Sequence, residues 1–278
     1  MKFSLIMATI RRTEEPFRFL DSLKGQIYND FEVIVIDQNS DDRISKNIQS
    51  YKAELPGLIH LKVLPQSLSA ARNAGLKVAT GDVVAFPDDD CRYFPDTLQA
   101  VNQLLSENEM LAGVKGRIVD ENGGDSLKKW SKKPFTIKRR HILLLTSSIT
   151  MFIKRNRMVG FDEQLGAGAR FGACEDVDLM YRILSSGASM AYMPLIKVYH
   201  PHEDISDLQS DKIRSYGQGF GAYIRKHPSV VNVSFFIAFM CYHVLRGMVS
   251  LLKGDVATMS KRFLYVCSRI EGFVKYGG

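Results

Sequence analysis

The stretch Leu68–Asp90, "LSAARNAGLKVATGDVVAFPDDD", decides the fold. Its Ala and Leu positions recur at helical spacing, Gly81 closes the helix, and "DVVAFP" opens a short apolar strand that ends in Asp88, Asp89 and Asp90. Outward from there the same alternation continues. "FSLIMAT" (3–9), "FEVIVID" (31–37) and "IHLKVLP" (59–65) read as strands, with a helical stretch from about Pro16 to Gln26 and a polar helix after "QNSDD". Strands alternating with helices predict βαβ units and a mostly parallel sheet flanked by helices. Near-continuous apolar strands predict burial on both faces. Ligands of such sheets collect at the carboxyl ends of the strands, where the chain places Thr9, Asp37 and Asp88–Asp90.

Three adjacent carboxylates repel one another, at a cost on the order of 1 kcal/mol per contact at reduced dielectric. A turn that needs only polarity is served as well by Ser, Asn or Gly, so a cation is expected here. Mg²⁺ and Mn²⁺ prefer carboxylate oxygens and are held by one or two carboxylates together with substrate phosphates. A solvated surface turn is the competing reading. The run's place after a buried strand, level with two other polar strand ends, favours the cation. No G-x-G-x-x-G follows the first strand and no G-x-x-x-x-G-K-S/T occurs; "GQGFGAYIRK" (217–226) lies late and follows no strand. Dehydrogenase and P-loop readings drop out.

Apolar residues make up 45% and charged residues 24%, an ordinary globular composition, and 278 residues suffice for one large domain or a domain plus an appendage. The four cysteines lie far apart with no C-x-x-C pair, which fits a reducing compartment. The N-terminal "MKFSLIMATIRR" meets Arg11 and Arg12 without a small-residue cleavage site, so it reads as a buried first strand and the expected location is cytoplasmic.

Farther along, "MLAGVKGRIVD" and "SSITMFIK" read as strands flanking the basic loop "LKKWSKKPFTIKRRH". A Gly-rich loop after Gly160 runs into a helix at about Glu175 to Ser185, and the last strand, "ASMAYMPLIKVYH", ends at His200, next to Pro201 and His202. The division expected is 1–210 for the α/β domain and 211–278 for a helical apolar and basic tail. Within that tail, 230–252 is nearly long enough to span a bilayer, but His243 and Arg246 interrupt it. His243, Arg246, Ser250 and Lys253 form one polar stripe, as on a helix in a membrane interface or one packed on its own domain.

Four blocks, in order, resemble the inverting family-2 glycosyltransferases of the GT-A fold. They are "IMATIRR", "VIVIDQNSDD", "SAARNAGLKVATGDVVAFPDDD" and "GACEDVDLMYRIL", covering roughly residues 3–200. The second is similar to the family's V-V-D-D-G-S-x-D, the third to its A-R-N-x-G … A-x-G-[DE] … L-D-x-D, and the fourth to its G-x-x-E-D-x-D-L-x-x-R. Ala8 stands where the family usually has Pro, Gln38 and Asn39 where Asp-Gly is common, and Pro87 where an apolar residue is usual.

The resemblance implies a metal-dependent enzyme that moves a sugar from a nucleoside-diphosphate sugar, UDP favoured, to a hydroxyl of a glycan acceptor in bacterial-type surface polysaccharide synthesis. Asp37 would meet the base and ribose with Thr9 nearby, and Arg72 the base or phosphates. Asp88 and Asp90 would be the D-x-D acids that hold Mn²⁺ or Mg²⁺, with Asp89 between them on the nucleotide side. Asp176 would be the base, Glu175 its partner or an acceptor contact, and His200 or His202 a further metal or diphosphate ligand. Two other functions fit less of the sequence. A sugar-nucleotide-binding module would not need intact D-x-D and E-D blocks. A Mg-dependent nucleotidyltransferase would show a Gly-rich, Lys/Arg-bearing loop after the first strand.

The net charge of +7 is unevenly spread: +9 lies within residues 115–157 and +8 within 212–278. Such segregation favours an anionic surface, and no nucleic-acid-binding module accompanies it. Trp130 and Phe135 among lysines suit a lipid headgroup region. The expected partner is therefore the inner face of the cell membrane, with a lipid-linked glycan as acceptor.

Overall fold

The computed structural model describes residues 1–201 and 209–277. They form two compact units. The first takes Met1–Gln66, Ala70–Phe161 and the stretch from Leu179 through the last strand; the second takes Ser67–Ser69, Asp162–Asp178 and the helices from Ser210 onward.

The first unit is an α/β sheet structure, as expected. β1 (Phe3–Thr9), β2 (Phe31–Asp37), β3 (Leu58–Lys62) and β4 (Val83–Ala85) pair in parallel in the order β3-β2-β1-β4. The connecting helices are α1 (Glu15–Lys24), α2 (Ser45–Tyr51) and α3 (Leu68–Val78). β1 and β2 are buried along both faces, as central strands of a parallel sheet are. Beyond β4 the sheet continues through β8 (Met151–Lys154), β6 (Leu111–Val119), β9 (Ser189–Tyr199) and β5 (Arg92–Tyr93), with β7 (Phe135–Thr136) also on β9. Here β6 and β9 are parallel, while β4–β8, β6–β8, β5–β9 and β7–β9 are antiparallel. Between β5 and β6, α4 (Thr97–Glu107) buries Leu98, Val101 and Leu105 at helical spacing.

The A-R-N-x-G block has a packing cause. A Cβ on Gly75 would overlap the Ile6 side chain, so α3 lies flush on β1 only because that position is glycine. Gly81 approaches the β1 backbone in the same way, with a Cβ 2.7 Å from the Phe3 carbonyl carbon.

Trp130 is buried and donates its indole N–H to the Ser126 carbonyl at 2.9 Å, which overturns the expectation that it lies among headgroups. Phe135 stacks on Tyr192. Lys129, Lys132, Lys133, Lys138, Arg139 and Arg140 around them are exposed.

In the second unit α6 (Ser210–Lys226), α7 (Val230–Leu252) and α8 (Val256–Lys275) follow one another. The glycines of "GQGFGAYIRK" are helical: a Cβ on Gly217 or Gly221 would run into Ser268 or the Arg269 carbonyl of α8. They let two helices touch and have no part in a phosphate loop. α7 turns His243 inward to stack on Tyr265 of α8 at 4.6 Å. The outward side of α7 is therefore apolar, with Ile237, Leu245 and Leu252 exposed at 56%, 62% and 88%. Val230–Leu252 is long and apolar enough to cross a membrane.

Candidate active site

Pro87 lacks an N–H and interrupts the β1–β4 ladder, which resumes in a single parallel bridge between Ala8 and Asp88. The acid run is thus held against the end of β1, and its three carboxylates face different partners. Asp88 accepts from Arg72 Nη2 at 2.9 Å. Arg72 is 1% exposed, with its guanidinium over the Phe161 and Phe86 rings. Asp89 accepts from the Thr9 hydroxyl at 2.7 Å. Burial pushes the Asp89 carboxyl up to about 7, against the pull of Thr9 and Arg12, and the charge of Asp90 adds to the rise. Asp90 lies between Arg12, whose Nη2 is 3.4 Å from Oδ2, and His200, whose Nε2 is 3.4 Å from Oδ1.

The last pair fits a metal. His200 Nδ1 is 2.7 Å from the Pro201 carbonyl, an acceptor only, so that nitrogen carries the proton. In the neutral ring the Nε2 lone pair then faces Asp90 Oδ1, a buried oxygen that accepts no hydrogen bond among the described residues. Two acceptors that face each other need a proton or a metal ion between them. Asp88, Asp90 and His200 each offer a ligand atom, all within 4.8 Å of one another. Two carboxylates and an imidazole suit Mn²⁺ and, with less nitrogen preference, Mg²⁺. His202 lies outside the described residues.

Asp37 ends β2 in register with Thr9 of β1 and is fully buried. Its Oδ1 accepts from the backbone and side-chain amides of Asn39 at 2.9 and 2.8 Å, and its Oδ2 lies 3.0 Å from His60 Nε2. The departures from Asp-Gly are therefore staples. Asn39 also accepts from the Arg11 N–H at 2.6 Å, and Gln38 from the Gln66 N–H at 2.9 Å. Sequence reasoning missed His60 and Arg12. The signals were a lone His inside an otherwise apolar strand, in register with Val35 of β2, and a second Arg just past the end of β1.

Glu175 and Asp176 belong to the second unit, in the first turn of α5 (Glu175–Ser185). Cys174, before them, holds a left-handed φ of 71°, unusual for a non-glycine and a mark of a constrained loop. Asp176 is 7% exposed and its Oδ1 accepts from the Val177 N–H at 2.8 Å. Asp178 is fully buried and pairs with Lys226 at 2.7 Å and His227 at 2.8 Å.

A parallel half-sheet with an acid turn and a buried Asp at its carboxyl edge, continued by a mixed half-sheet, defines a GT-A type fold. The chain belongs to glycosyl transferase family 2, whose model it matches over residues 4–166. An uncharacterized glycosyltransferase of Haemophilus influenzae is 26% identical over 81% of this chain and 76% of its own length. The amylovoran biosynthesis glycosyltransferase AmsB of Erwinia amylovora is 35% identical over 41% of this chain and 38% of that protein. The GalNAc(5)-diNAcBac-PP-undecaprenol beta-1,3-glucosyltransferase of Campylobacter jejuni is 29% identical over 48% and 43%. Among solved structures, S. aureus TarS 1-349 in complex with UDP-GlcNAc has a TM-score of 0.60 at 16% identity, over 97% of this chain and 92% of that one. The mannosyltransferase PcManGT from Pyrobaculum calidifontis, in complex with GDP-Man and Mn²⁺, has a TM-score of 0.64 at 14% identity, over 98% and 86%. At these identities the structures share the fold with this chain.

Proposed function

We propose that this glycosyltransferase moves a hexosyl group from a UDP-sugar to a hydroxyl of a lipid-linked glycan, with inversion, in surface polysaccharide synthesis. The observation that carries the reading is the meeting of Asp88, Asp90 and His200 around a buried oxygen without a donor. Asp88, Asp90 and His200 would hold Mn²⁺ or Mg²⁺, which when bound neutralises the leaving diphosphate. Asp37 and Thr9 receive the nucleoside and Arg72 the phosphate side. Asp176 takes the proton of the acceptor hydroxyl as that oxygen attacks the anomeric carbon, help typically worth about 10²–10⁴-fold. Glu175 contacts the acceptor sugar. The nucleotide-sugar and Mn²⁺ complexes of fold neighbours and the undecaprenol-linked substrate in one relative's name support this reading. Catalysis is assigned to residues 1–210.

The test is hydrolysis of UDP-, dTDP- and GDP-sugars by the full chain with and without Mn²⁺, beside Asp90→Ala and Asp176→Asn. Metal-dependent release of the nucleotide, lost in both variants, is the expected result. Wild-type turnover by Asp176→Asn would remove the base assignment, and turnover indifferent to Mn²⁺ would remove the metal.

We further infer that residues 211–278 dock on the anionic inner face of the cell membrane, with nucleic acid excluded as partner. The exposed apolar side of α7 within residues 212–278, of net charge +8, supports this. Co-sedimentation with phosphatidylglycerol vesicles, weakened in Leu245→Glu and absent with phosphatidylcholine, is the expected result. Equal recovery in the supernatant with both lipids overturns it.

A further inference from the structure

The second unit contains a half-buried charge cluster around the fully buried Asp178 that the reaction scheme above leaves unused. Lys226, the last residue of α6, stands 2.7 Å from Asp178 and 2.6 Å from Asp162. His227 Nε2 reaches the same Asp178 oxygen at 2.8 Å, and the Tyr276 hydroxyl donates to Asp162 at 3.1 Å. Burial works against the charge of Asp162, yet Lys226 and the Gln164 N–H hold its carboxyl below the ordinary range. His227 is itself fixed: its carbonyl accepts from Asn232 Nδ2 at 2.8 Å, and its ring lies against Tyr223 at 5.3 Å.

Asp178 is two residues beyond Asp176 on the same helical turn. At about 100° per residue the two side chains point to nearly opposite sides of the helix. A grip on one therefore sets the rotation of the other. Cys174 enters the turn in a left-handed conformation, which a non-glycine residue keeps only where the surrounding structure imposes it.

We propose that Lys226 and His227 are positioning residues that act through Asp178 to aim the Asp176 carboxylate. This rests on the reading of Asp176 as the base. The clamp joins two segments distant in sequence, 162–178 and the junction of α6 with α7, so the geometry of the base depends on the helical tail. Asn232, which anchors His227, already belongs to α7, and Ser229 caps that helix by accepting from the Asn232 N–H at 3.2 Å. The base is thereby wired to the helix whose apolar side faces outward.

The experiment uses the full chain and the variants Lys226→Met, His227→Ala and His227→Gln, with Asp176→Asn as reference. Hydrogen exchange of the amides of 175–178 reads the clamp directly, and turnover of the UDP-sugar hydrolysed fastest by the wild type reads its consequence. We expect His227→Ala and Lys226→Met to speed exchange at 175–178 and to lower kcat by about 10-fold to 100-fold, since misplacement by about 1 Å carries that cost. The Kd for UDP should stay within about twofold of wild type, because a positioning defect spares ground-state binding. His227→Gln keeps a donor and should restore both readouts. Exchange at 175–178 identical to wild type overturns the clamp, as does loosening spread evenly over the chain or a fall in kcat matched by an equal loss of UDP affinity. Should Asp176→Asn hydrolyse at the wild-type rate, the base reading fails while the exchange data still judge the clamp.

Discussion

Arg12 approaches Asp90 on the oxygen opposite the one that His200 faces, each at 3.4 Å. The acid run that called for a cation thus has a partial one from its own chain. Arg12 also pairs with Glu15 at 3.0 Å and lies 3.7 Å from Asp89, while Arg72 takes Asp88. The guanidinium is 42% exposed, so its hold on the acids is weak enough to be displaced.

Arg12→Gln therefore removes a competitor of the metal. We expect Mn²⁺ to bind Arg12→Gln about threefold to tenfold more tightly, the equivalent of roughly 1 kcal/mol. The metal-free protein should melt at a lower temperature, because three acids then share less positive charge. Calorimetric titration with Mn²⁺ and a melting curve in chelator check both signs. Looser Mn²⁺ binding would place Arg12 on the side of the metal, as a donor-phosphate contact instead of a rival.

His60 offers a second separation of roles. It contacts Asp37 from β3 and does not belong to the Asp88–Asp90–His200 cluster. His60→Ala leaves the buried Asp37 Oδ2 without that partner and should weaken UDP binding by about tenfold, the usual penalty for a lost charge-assisted hydrogen bond. Mn²⁺ affinity should not change. Parallel titrations with UDP and with Mn²⁺ alone read the difference.

Glu32 sets an acid limit for the fold. Burial alone would raise its carboxyl, but Lys2, Ser4 and Thr80 bring it from 4.5 down to about 2. A depressed carboxylate stabilises the fold fully above its unfolded value and loses that contribution as pH falls through its folded value. Glu32→Gln should therefore cost about 2–3 kcal/mol at neutral pH. The gap from wild type should shrink as pH falls from 4.5 toward 2. Urea unfolding of both proteins at several pH values measures it; a gap that is constant with pH would contradict the linkage.

Gly75→Ala drives a methyl group into Ile6 and should destabilise by about 1–3 kcal/mol, the range for overpacking. Gly25 has nothing within 4 Å of a Cβ and a φ of −92°, so Gly25→Ala serves as a near-neutral control. Thermal melts of the two variants side by side test whether close approach of α3 to β1, and not loss of glycine as such, is the cause.

The parts that sequence made legible are those whose cause is local. The βαβ rhythm through Ala85, the acid turn and the start of α5 at Glu175 each follow from periodicity or turn chemistry within a few residues. The antiparallel pairings were not legible, since β8 pairs with β4 from Ala85–Phe152 to Val83–Lys154, a separation far beyond the reach of local pattern. Burial reversed one surface reading: Trp130 looked like an interface aromatic among lysines but found Ser126 and the core. Of the two readings open for the polar stripe of α7, His243 follows the packed one and stacks on Tyr265. Arg12 and His60 escaped notice because each gains meaning only from a residue brought beside it by sheet pairing.

The change of strand direction at β4 also divides the first unit along the chain. Every strand of the β3-β2-β1-β4 run lies within Phe3–Ala85, and every other strand begins at Arg92 or later. One recombination point between them exchanges the back half of the sheet as a block and leaves β1–β4 in register. Within the sheet the two blocks then meet at the β4–β8 pairing, Val83–Ala85 against Phe152–Lys154, so a chimera cut there has that one antiparallel seam to preserve.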